Sequence, residues 1–186
     1  MSMRAQFIAG MLSLLATCNA AAQQAAPIAA TGTIQYAFTP GDHADDMIIA
    51  AINSARRQVL IQAYSFTHRR IADALVQARD RGIEMTMIAD HELADDKDTS
   101  RLVRNIASSG VAVMLDSQHA LAHNKIIVID ASQPDCAVVT GSFNFTYAAQ
   151  RRNAENVLLL LGNAALCEAY KRNWQRHREH SLPFAG

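Results

Sequence analysis

Short apolar runs alternate with segments of helical periodicity along the first part of the chain. The strand-like runs are TIQYAF, QVLIQAYSF, IEMTMIAD and VAVMLD. Between them, apolar residues recur every three or four positions, as they do on one face of an amphipathic helix. The predicted helices run from a cap at Asp42 to about Ala55, through RRIADALVQARDRG, which Gly82 closes, and through DTSRLVRNIASSG, which Gly110 ends.

The second part of the chain has a different pattern. Three β-rich runs, KIIVID, CAVVTG and ENVLLLLG, precede a long helix, NAALCEAYKRNWQRHREH. This alternation of strands and helices predicts an α/β fold with a mixed, mostly parallel β-sheet flanked by helices on both faces. The run from Val157 to Leu161 is so apolar that we expect it in a strand buried on both sides. The sequence contains no internal repeat.

The N-terminus has the order of a secretory signal peptide. Arg4 is the only charged residue before position 42, and it precedes the apolar run FIAGMLSLLA. A basic start, a short apolar core and small residues at the cleavage site predict a signal peptide over residues 1–22. The alternatives are a membrane anchor, for which about 20 apolar residues are needed, and a lipoprotein site at Cys18, which the bulky Thr17 disfavours. We therefore expect a periplasmic or secreted protein.

Residues 23–32 are small and unpatterned and are predicted to be a flexible lead-in to one domain, residues 33–186. Half of the residues are hydrophobic, which is enough for a core, and the formal net charge is zero. Any anionic partner must therefore be bound by local patches, since no global field attracts it. In an oxidising compartment, Cys136 and Cys167 either form a disulfide or pack as small apolar groups.

Polar side chains stand at the ends of two predicted strands. His123 and Lys125 lie on the same side of the strand that KIIVID forms, while Asn124 faces away, because side chains alternate across a strand. Ser142 and Asn144 follow the next strand and offer a hydroxyl and an amide. If the two strands are neighbours, four donors meet and fit a phosphate group. Each residue alone has an ordinary structural alternative, such as a turn or a solvated strand end.

The segment HNKIIVID, followed by GSFN, resembles the signature of the phospholipase D superfamily, which reads His, any residue, Lys, four residues and Asp, then Gly-Ser with Asn two positions later. The matching residues are His123, Lys125, Asp130, Gly141, Ser142 and Asn144. The segments YSFT, RGIEMTMIAD and NAENVLLL also resemble small secreted, metal-independent endonucleases of this superfamily. Ten residues separate Asp130 from Gly141, where compact members have about six, and we predict a longer hairpin loop that leaves the strands able to pair.

The resemblance implies a phosphodiesterase in which His123 attacks phosphorus and forms a phosphohistidine. A second group must protonate the leaving oxygen from the opposite side, and one His cannot do both. Members with two motifs use one His for each task, whereas this chain has a single motif. The resemblance therefore implies a two-fold homodimer with an active site shared between two copies of His123.

The resemblance also implies the roles of the other motif residues. Lys125 and Asn144 would neutralise the nonbridging oxygens, with Ser142 as a supporting donor. Glu155 would hold the His ring in the correct tautomer. Asp130 would lie about 16 Å from Lys125 along an extended strand and is assigned a structural role, like Gly141, whose missing side chain lets the backbone approach closely. No cofactor is implied, because two Lys ammonium groups supply the positive charge.

A metal site is the alternative interpretation of the nearby histidines. On a helix, His119 and His123 would be one turn apart and could bind zinc together with Asp116. The β-branched run after Lys125 instead predicts a strand, on which the two rings would be about 13 Å apart. We therefore predict no metal site.

The basic residues bear on the substrate. Three groups of basic residues could bind a polynucleotide backbone: Arg69-Arg70, those of the final helix, and Arg151-Arg152, which lie closest to the motif. The alternative is that these residues are solvated helix faces, as charged runs commonly are. No amphipathic or long apolar segment after the predicted signal peptide suggests binding to a lipid surface, so no stable membrane association is expected. The sequence thus predicts a sequence-nonspecific endonuclease on DNA, with RNA as a second substrate. The alternatives are a phospholipase D-type lipid hydrolase and a catalytically silent, nucleic-acid-binding dimer.

Overall fold

The structure is a computed structural model that describes residues 26–94 and 97–185, so the predicted signal peptide lies outside the described residues. The helices are α1 (Ala44–Ser54), α2 (Arg69–Asp80), α3 (Lys97–Ser108), α4 (Tyr147–Arg151) and α5 (Ala164–His180). The strands are β1 (Thr33–Thr39), β2 (Gln58–Ala63), β3 (Glu84–Asp90), β4 (Ala112–Asp116), β5 (Lys125–Ile129), β6 (Ala137–Gly141), β7 (Glu155–Leu161) and β8 (Leu182–Pro183). A short 3₁₀ helix, His91–Ala94, follows β3.

All eight strands form one sheet in the order β1-β7-β6-β5-β2-β3-β4-β8. β2, β3 and β4 are parallel, because α2 and α3 each return the chain to the same end of the sheet. The other pairings are antiparallel. The predicted mixed sheet is confirmed, but the expectation that it is mostly parallel is wrong. In the second half, consecutive strands lie side by side without a helical crossover, and such neighbours must reverse direction.

Helices cover both faces of the sheet, as predicted. The larger core joins α1, α2 and α3 to side chains such as Ile61 and Ile127, and the smaller core packs α5 against Leu60 and its neighbours. The indole of Trp174 on α5 donates a hydrogen bond to the backbone oxygen of Ile61 at 3.0 Å. The helix is also fixed covalently, because a disulfide joins Cys136 to Cys167.

One area of the sheet carries exposed apolar side chains. Ile34, Tyr36 and Phe38 of β1 are 57%, 67% and 58% exposed, and Leu158 of β7, which pairs with Tyr36, is 38% exposed. We call these four residues the apolar patch. The expectation that the Val157 to Leu161 strand is buried on both sides is therefore wrong, because α5 packs mainly on β2, β4, β5 and β6.

The helix ends differ from the sequence prediction at one position. α1 begins at Ala44 with His43 at its N-cap, and no side chain caps it. Asp42 instead accepts a hydrogen bond from the Phe38 N–H at 2.8 Å. Gly82 follows α2 with a φ of +87°, as the prediction of a glycine-closed helix requires. None of the helices described here has the length and hydropathy of a membrane span.

Candidate active site

The two strands that carry the motif are neighbours in the sheet. β5 begins at Lys125 and β6 ends at Gly141, and the pairing of Ile126 with Thr140 places these two ends side by side. The longer loop between the strands, residues 130–136, leaves this pairing intact, as predicted. The segments on either side of this junction therefore meet at one rim of the sheet.

Lys125 is a buried cation at this rim. The residue is only 7% exposed. Its Nζ donates a hydrogen bond to the backbone oxygen of His123 at 2.7 Å. The Nζ also lies 4.9 Å from the centre of the Tyr64 ring, a cation–π contact. Burial lowers the pKa of Lys125 to about 8, against the opposing effect of the Glu155 charge. Lys125 thus stays charged at neutral pH with poor solvation, and a bound anion would relieve that cost.

His123 is exposed at the rim and is held from two sides. Its ring lies 4.4 Å from the ring of Tyr64, whose backbone N–H donates to the Asn124 oxygen at 3.1 Å. The buried carboxylate of Asp90 accepts a hydrogen bond from the Ala122 N–H. Sequence reasoning gave Tyr64 and Asp90 no role at the site, although Tyr64 follows β2, the neighbour of β5, and Asp90 ends β3, the next strand of the sheet. They position the backbone and the ring of His123.

Ser142 and Glu155 form a hydrogen-bonded pair. The Ser142 hydroxyl donates to a Glu155 carboxylate oxygen at 2.6 Å and accepts from the Asn156 N–H at 3.1 Å. Asn153 donates to the other oxygen of Glu155 at 3.1 Å. The Ser142 hydroxyl is therefore paired with Glu155 within the chain, and its role as a supporting donor to a phosphate stays a prediction. Between the described residues of one chain, no hydrogen bond joins Glu155 to His123.

Gly141 and Asp130 occupy structural positions. Gly141 has a φ of +151°, and a Cβ there would overlap the backbone oxygen of Asn156. Asp130 lies at the opposite end of β5 from Lys125, is buried, and accepts three backbone N–H bonds of 2.8 Å from residues 56–58. A carboxylate with these three bonds fastens the β5 end to the start of β2.

Asn144 stands on a fixed backbone with an unpaired amide oxygen. The oxygen of the next residue, Phe145, accepts hydrogen bonds of 2.9 Å from the N–H groups of Thr67 and His68. The Asn144 Oδ1 atom is buried and has no hydrogen-bond partner within the described part of the chain. Unpaired buried polar atoms cost free energy and often mark sites of function.

A basic cavity of about 300 Å³ adjoins the Asn144 segment. Thr67, Arg69, Arg70 and Arg151 are among the residues that line it. Arg70 is paired with two carboxylates of α1, so Arg69 and Arg151 are the cations more open to a ligand. Arg152 is exposed just beyond α4 but is not among the lining residues. Arg151, but not Arg152, therefore lines the same cavity as Arg69 and Arg70.

A second group of titratable residues lies at the C-terminal end of α5. Asp116, at the end of β4, is surrounded by His119, His177 and His180, and their ligand atoms all lie within 4.8 Å of one another. Burial alone would raise the pKa of Asp116, but hydrogen bonds from the three imidazoles and from the Gln118 N–H hold it below its ordinary value. His119 lies in a non-helical segment and is grouped with His177 and His180 of α5, and not with His123.

Comparisons with known proteins extend over most of the chain. Residues 48–178 match the protein family described as "Cardiolipin synthase, PLD-like domain". A protein named phospholipase D from Rickettsia typhi is 34% identical over 152 residues, which are 81% of this chain and 71% of that protein. The crystal structure of Nuc, a phospholipase D family member from Salmonella typhimurium, superposes with a TM-score of 0.79 and 30% identity over 84% of this chain and 100% of that chain. NucT from Helicobacter pylori superposes with a TM-score of 0.73 and 26% identity over 83% and 100% of the two chains.

Proposed function

The chain belongs to the phospholipase D superfamily of phosphodiesterases, and we propose that it is a metal-independent, sequence-nonspecific endonuclease whose active site is shared by two subunits. The observation that carries the proposal is the pairing of β5 with β6, which brings the segments that carry His123, Lys125 and Asn144 to one rim of the sheet. These groups supply a nucleophile, a cation and an amide around the position that a phosphate would occupy.

In the proposed reaction, a ring nitrogen of His123 forms a bond to phosphorus while the bond to the leaving oxygen breaks. The leaving oxygen takes a proton from the partner subunit's His123. Water, from which the partner's His123 removes a proton, then displaces the first His123 and releases the phosphate end. One N–H group of the Lys125 ammonium donates to the His123 oxygen. The other two stabilise the negative charge on the nonbridging oxygens.

Metal independence follows from the charge that the protein itself supplies. Lys125 is already largely desolvated, so its ammonium group interacts strongly with developing negative charge. Two subunits would bring two such groups to one phosphate, which is the charge that a divalent ion supplies in other phosphodiesterases.

The homodimer is supported by the single motif and by the apolar patch. One chain holds one His123, and the reaction needs an acid opposite the nucleophile. Phe38 of the patch pairs with Asn156, which is bonded to Ser142, so the patch adjoins the rim. Burial of Tyr36, Phe38 and Leu158 against a second copy would remove exposed apolar surface near the site.

Nucleic acid is the proposed substrate because basic side chains adjoin the rim. Arg69 and Arg151 line the same cavity beside the Asn144 segment, where they can bind successive phosphates of a backbone. DNA is the proposed main substrate, and RNA has the same phosphodiester linkage. We assign the localisation to the periplasm or the exterior on the N-terminal sequence pattern alone.

A phospholipase D-type lipid hydrolase is the second candidate. It is favoured by the relative named phospholipase D and by the exposed apolar patch, which could insert into a lipid surface instead of a second subunit. A silent nucleic-acid-binding dimer is the third candidate, and the intact set of His123, Lys125 and Asn144 argues against it.

The test compares supercoiled plasmid and phosphatidylcholine vesicles as substrates of the purified protein in excess EDTA, with His123→Gln as the inactive control. We expect nicked plasmid, no choline release and no nicking by His123→Gln. Choline release without nicking would favour the lipid hydrolase, and plasmid retention without nicking would favour the silent binder. Nicking that stops in EDTA and returns with Mg²⁺ or Mn²⁺ would contradict the metal-free mechanism.

A further inference from the structure

Four potential metal ligands meet at the junction between β4 and the end of α5. Asp116 ends β4, and His119 follows it by three residues in the segment that leads to the active-site rim. His177 and His180 are also three residues apart, in the last turn of α5, and therefore share one face of that helix. The cluster thus brings together two parts of the chain separated by about sixty residues, the interval between Asp116 and His177.

The distances within the cluster suit a small tetrahedral ion. One carboxylate oxygen of Asp116, Oδ2, lies 2.7 Å from His177 Nδ1, 3.2 Å from His180 Nε2 and 3.1 Å from His119 Nδ1. Zinc bonds of 2.0–2.1 Å in a tetrahedron place the ligand atoms about 3.3 Å apart. Three of the six ligand-to-ligand distances are therefore already at or below this value, and all six are within 4.8 Å.

Three imidazole nitrogens crowd around the two carboxylate oxygens of Asp116. Three ring nitrogens lie within 3.2 Å of one carboxylate oxygen, Oδ2, and His119 Nδ1 also lies 3.2 Å from the other oxygen, Oδ1. The other oxygen of Asp116 already accepts the Gln118 N–H at 3.1 Å. Asp116 is fully buried, and the side chains of His177 and His180 are 14% and 19% exposed. A cation at the centre would accept one lone pair from each imidazole and one from the carboxylate.

We propose that Asp116, His119, His177 and His180 form a binding site for one Zn²⁺ ion. Three imidazoles and one carboxylate are typical ligands of zinc, whereas Mg²⁺ and Ca²⁺ prefer oxygen ligands. Four protein ligands fill a tetrahedral zinc, so the ion is structural and has no open position for a substrate. His119, whose side chain is 48% exposed, marks the side from which the ion reaches the site.

The ion would fasten α5 to the segment that positions the catalytic His123. Residues 117–124 connect β4 to β5 without regular structure, and His119 is the member of the cluster within that connection. Near its other end, Asp90 binds the Ala122 N–H. Zinc would thus anchor the start of the connection, as Asp90 anchors its end.

The test measures Zn²⁺ binding by the purified protein after chelation and removal of the chelator, with isothermal titration calorimetry and thermal unfolding. We expect one Zn²⁺ per chain, a raised melting temperature, and an intense tetrahedral absorption band in the visible spectrum when Co²⁺ replaces zinc. The double variant His177→Gln/His180→Gln should bind zinc at least about 100-fold more weakly. His119→Gln, a change in an exposed side chain, tests the same site if the double variant does not fold.

His43→Gln is the matched control. His43, Asp45 and Asp46 form another acidic and imidazole group, but Arg70 is paired with both of its carboxylates. The control should bind zinc like the wild type. Absence of zinc binding by the folded wild-type protein would overturn the proposal, as would unchanged binding by the His119 and His177/His180 variants. Because no nucleic acid or lipid is present in these measurements, their outcome is independent of the proposed nuclease activity.

Discussion

Replacement of Lys125 by Met should stabilise the fold while it abolishes the reaction. Burial lowers the pKa of the ammonium group from 10.5 to about 8. At about 1.4 kcal/mol per pKa unit, the protonated side chain costs the folded state at most roughly 3 kcal/mol at pH 7. Solvent near the exposed His123 screens part of this cost. Met keeps a similar volume, but it leaves the His123 oxygen without its donor, a loss of about 1 kcal/mol.

The net expectation is a gain of about 1–2 kcal/mol in the free energy of unfolding for Lys125→Met, or about 3–6 °C in melting temperature. The sign of the pH effect follows from the same shift. The folded-state pKa lies below the unfolded value, so the unfolded chain holds more protons between about pH 8 and pH 10.5. The wild-type protein should therefore become more stable relative to Lys125→Met as the pH rises through this range.

Urea denaturation of both proteins at pH 7 and pH 9.5 measures these differences, and Lys171→Met is the control. Lys171 Nζ lies 3.9 Å from a Glu168 carboxylate oxygen, so its removal should give no such gain. A Lys125→Met protein that is less stable than the wild type at pH 7, or whose stability difference does not change with pH, would refute the reasoning. So would a variant that retains plasmid nicking.

Three further substitutions test the scaffold around the site. Asp130→Asn should lower the free energy of unfolding by about 2–4 kcal/mol in urea denaturation, because an amide cannot accept all three buried N–H bonds; an unchanged midpoint would contradict this. Cys136→Ser/Cys167→Ser opens a loop with a sequence separation of 31 and should cost about 3–4 kcal/mol in the same assay, whereas a loss below about 1 kcal/mol would argue against the disulfide. Gly141→Ala should reduce nicking by the folded protein at least tenfold, because its Cβ would displace Asn156 and with it the Ser142 network; wild-type activity would show that the backbone there adapts.

The strands and the motif could be predicted from the sequence because their signals are local. Apolar runs located β1 to β7 within a few residues, and the motif placed Lys125 at the start of β5 with His123 two residues before it. The direction of the strands was less accessible, since a buried run such as KIIVID has the same composition in a parallel or an antiparallel sheet. The exposure of Leu158 depends on which strands α5 covers, which no local pattern encodes.

The contacts between distant segments were the part of the site that sequence reasoning missed. Tyr64 and Asp90 reach the rim only because β2 lies next to β5 in the sheet and β3 lies next to β2. The pairing of Ser142 with Glu155 depends on the register of β6 and β7. The HxxH spacing of His177 and His180 was visible as an i, i+3 pair, but its partner Asp116 lies on another element and could not be assigned without the fold.

We propose that one active site requires His123 from two chains. Mixed dimers of wild-type and His123→Gln subunits, each with a different affinity tag and purified through both tags, test it most directly in the plasmid-nicking assay. The mixed dimer should nick no faster than the His123→Gln homodimer, because its single site lacks either the nucleophile or the acid. Nicking at about half the wild-type rate, or an active monomer, would contradict it.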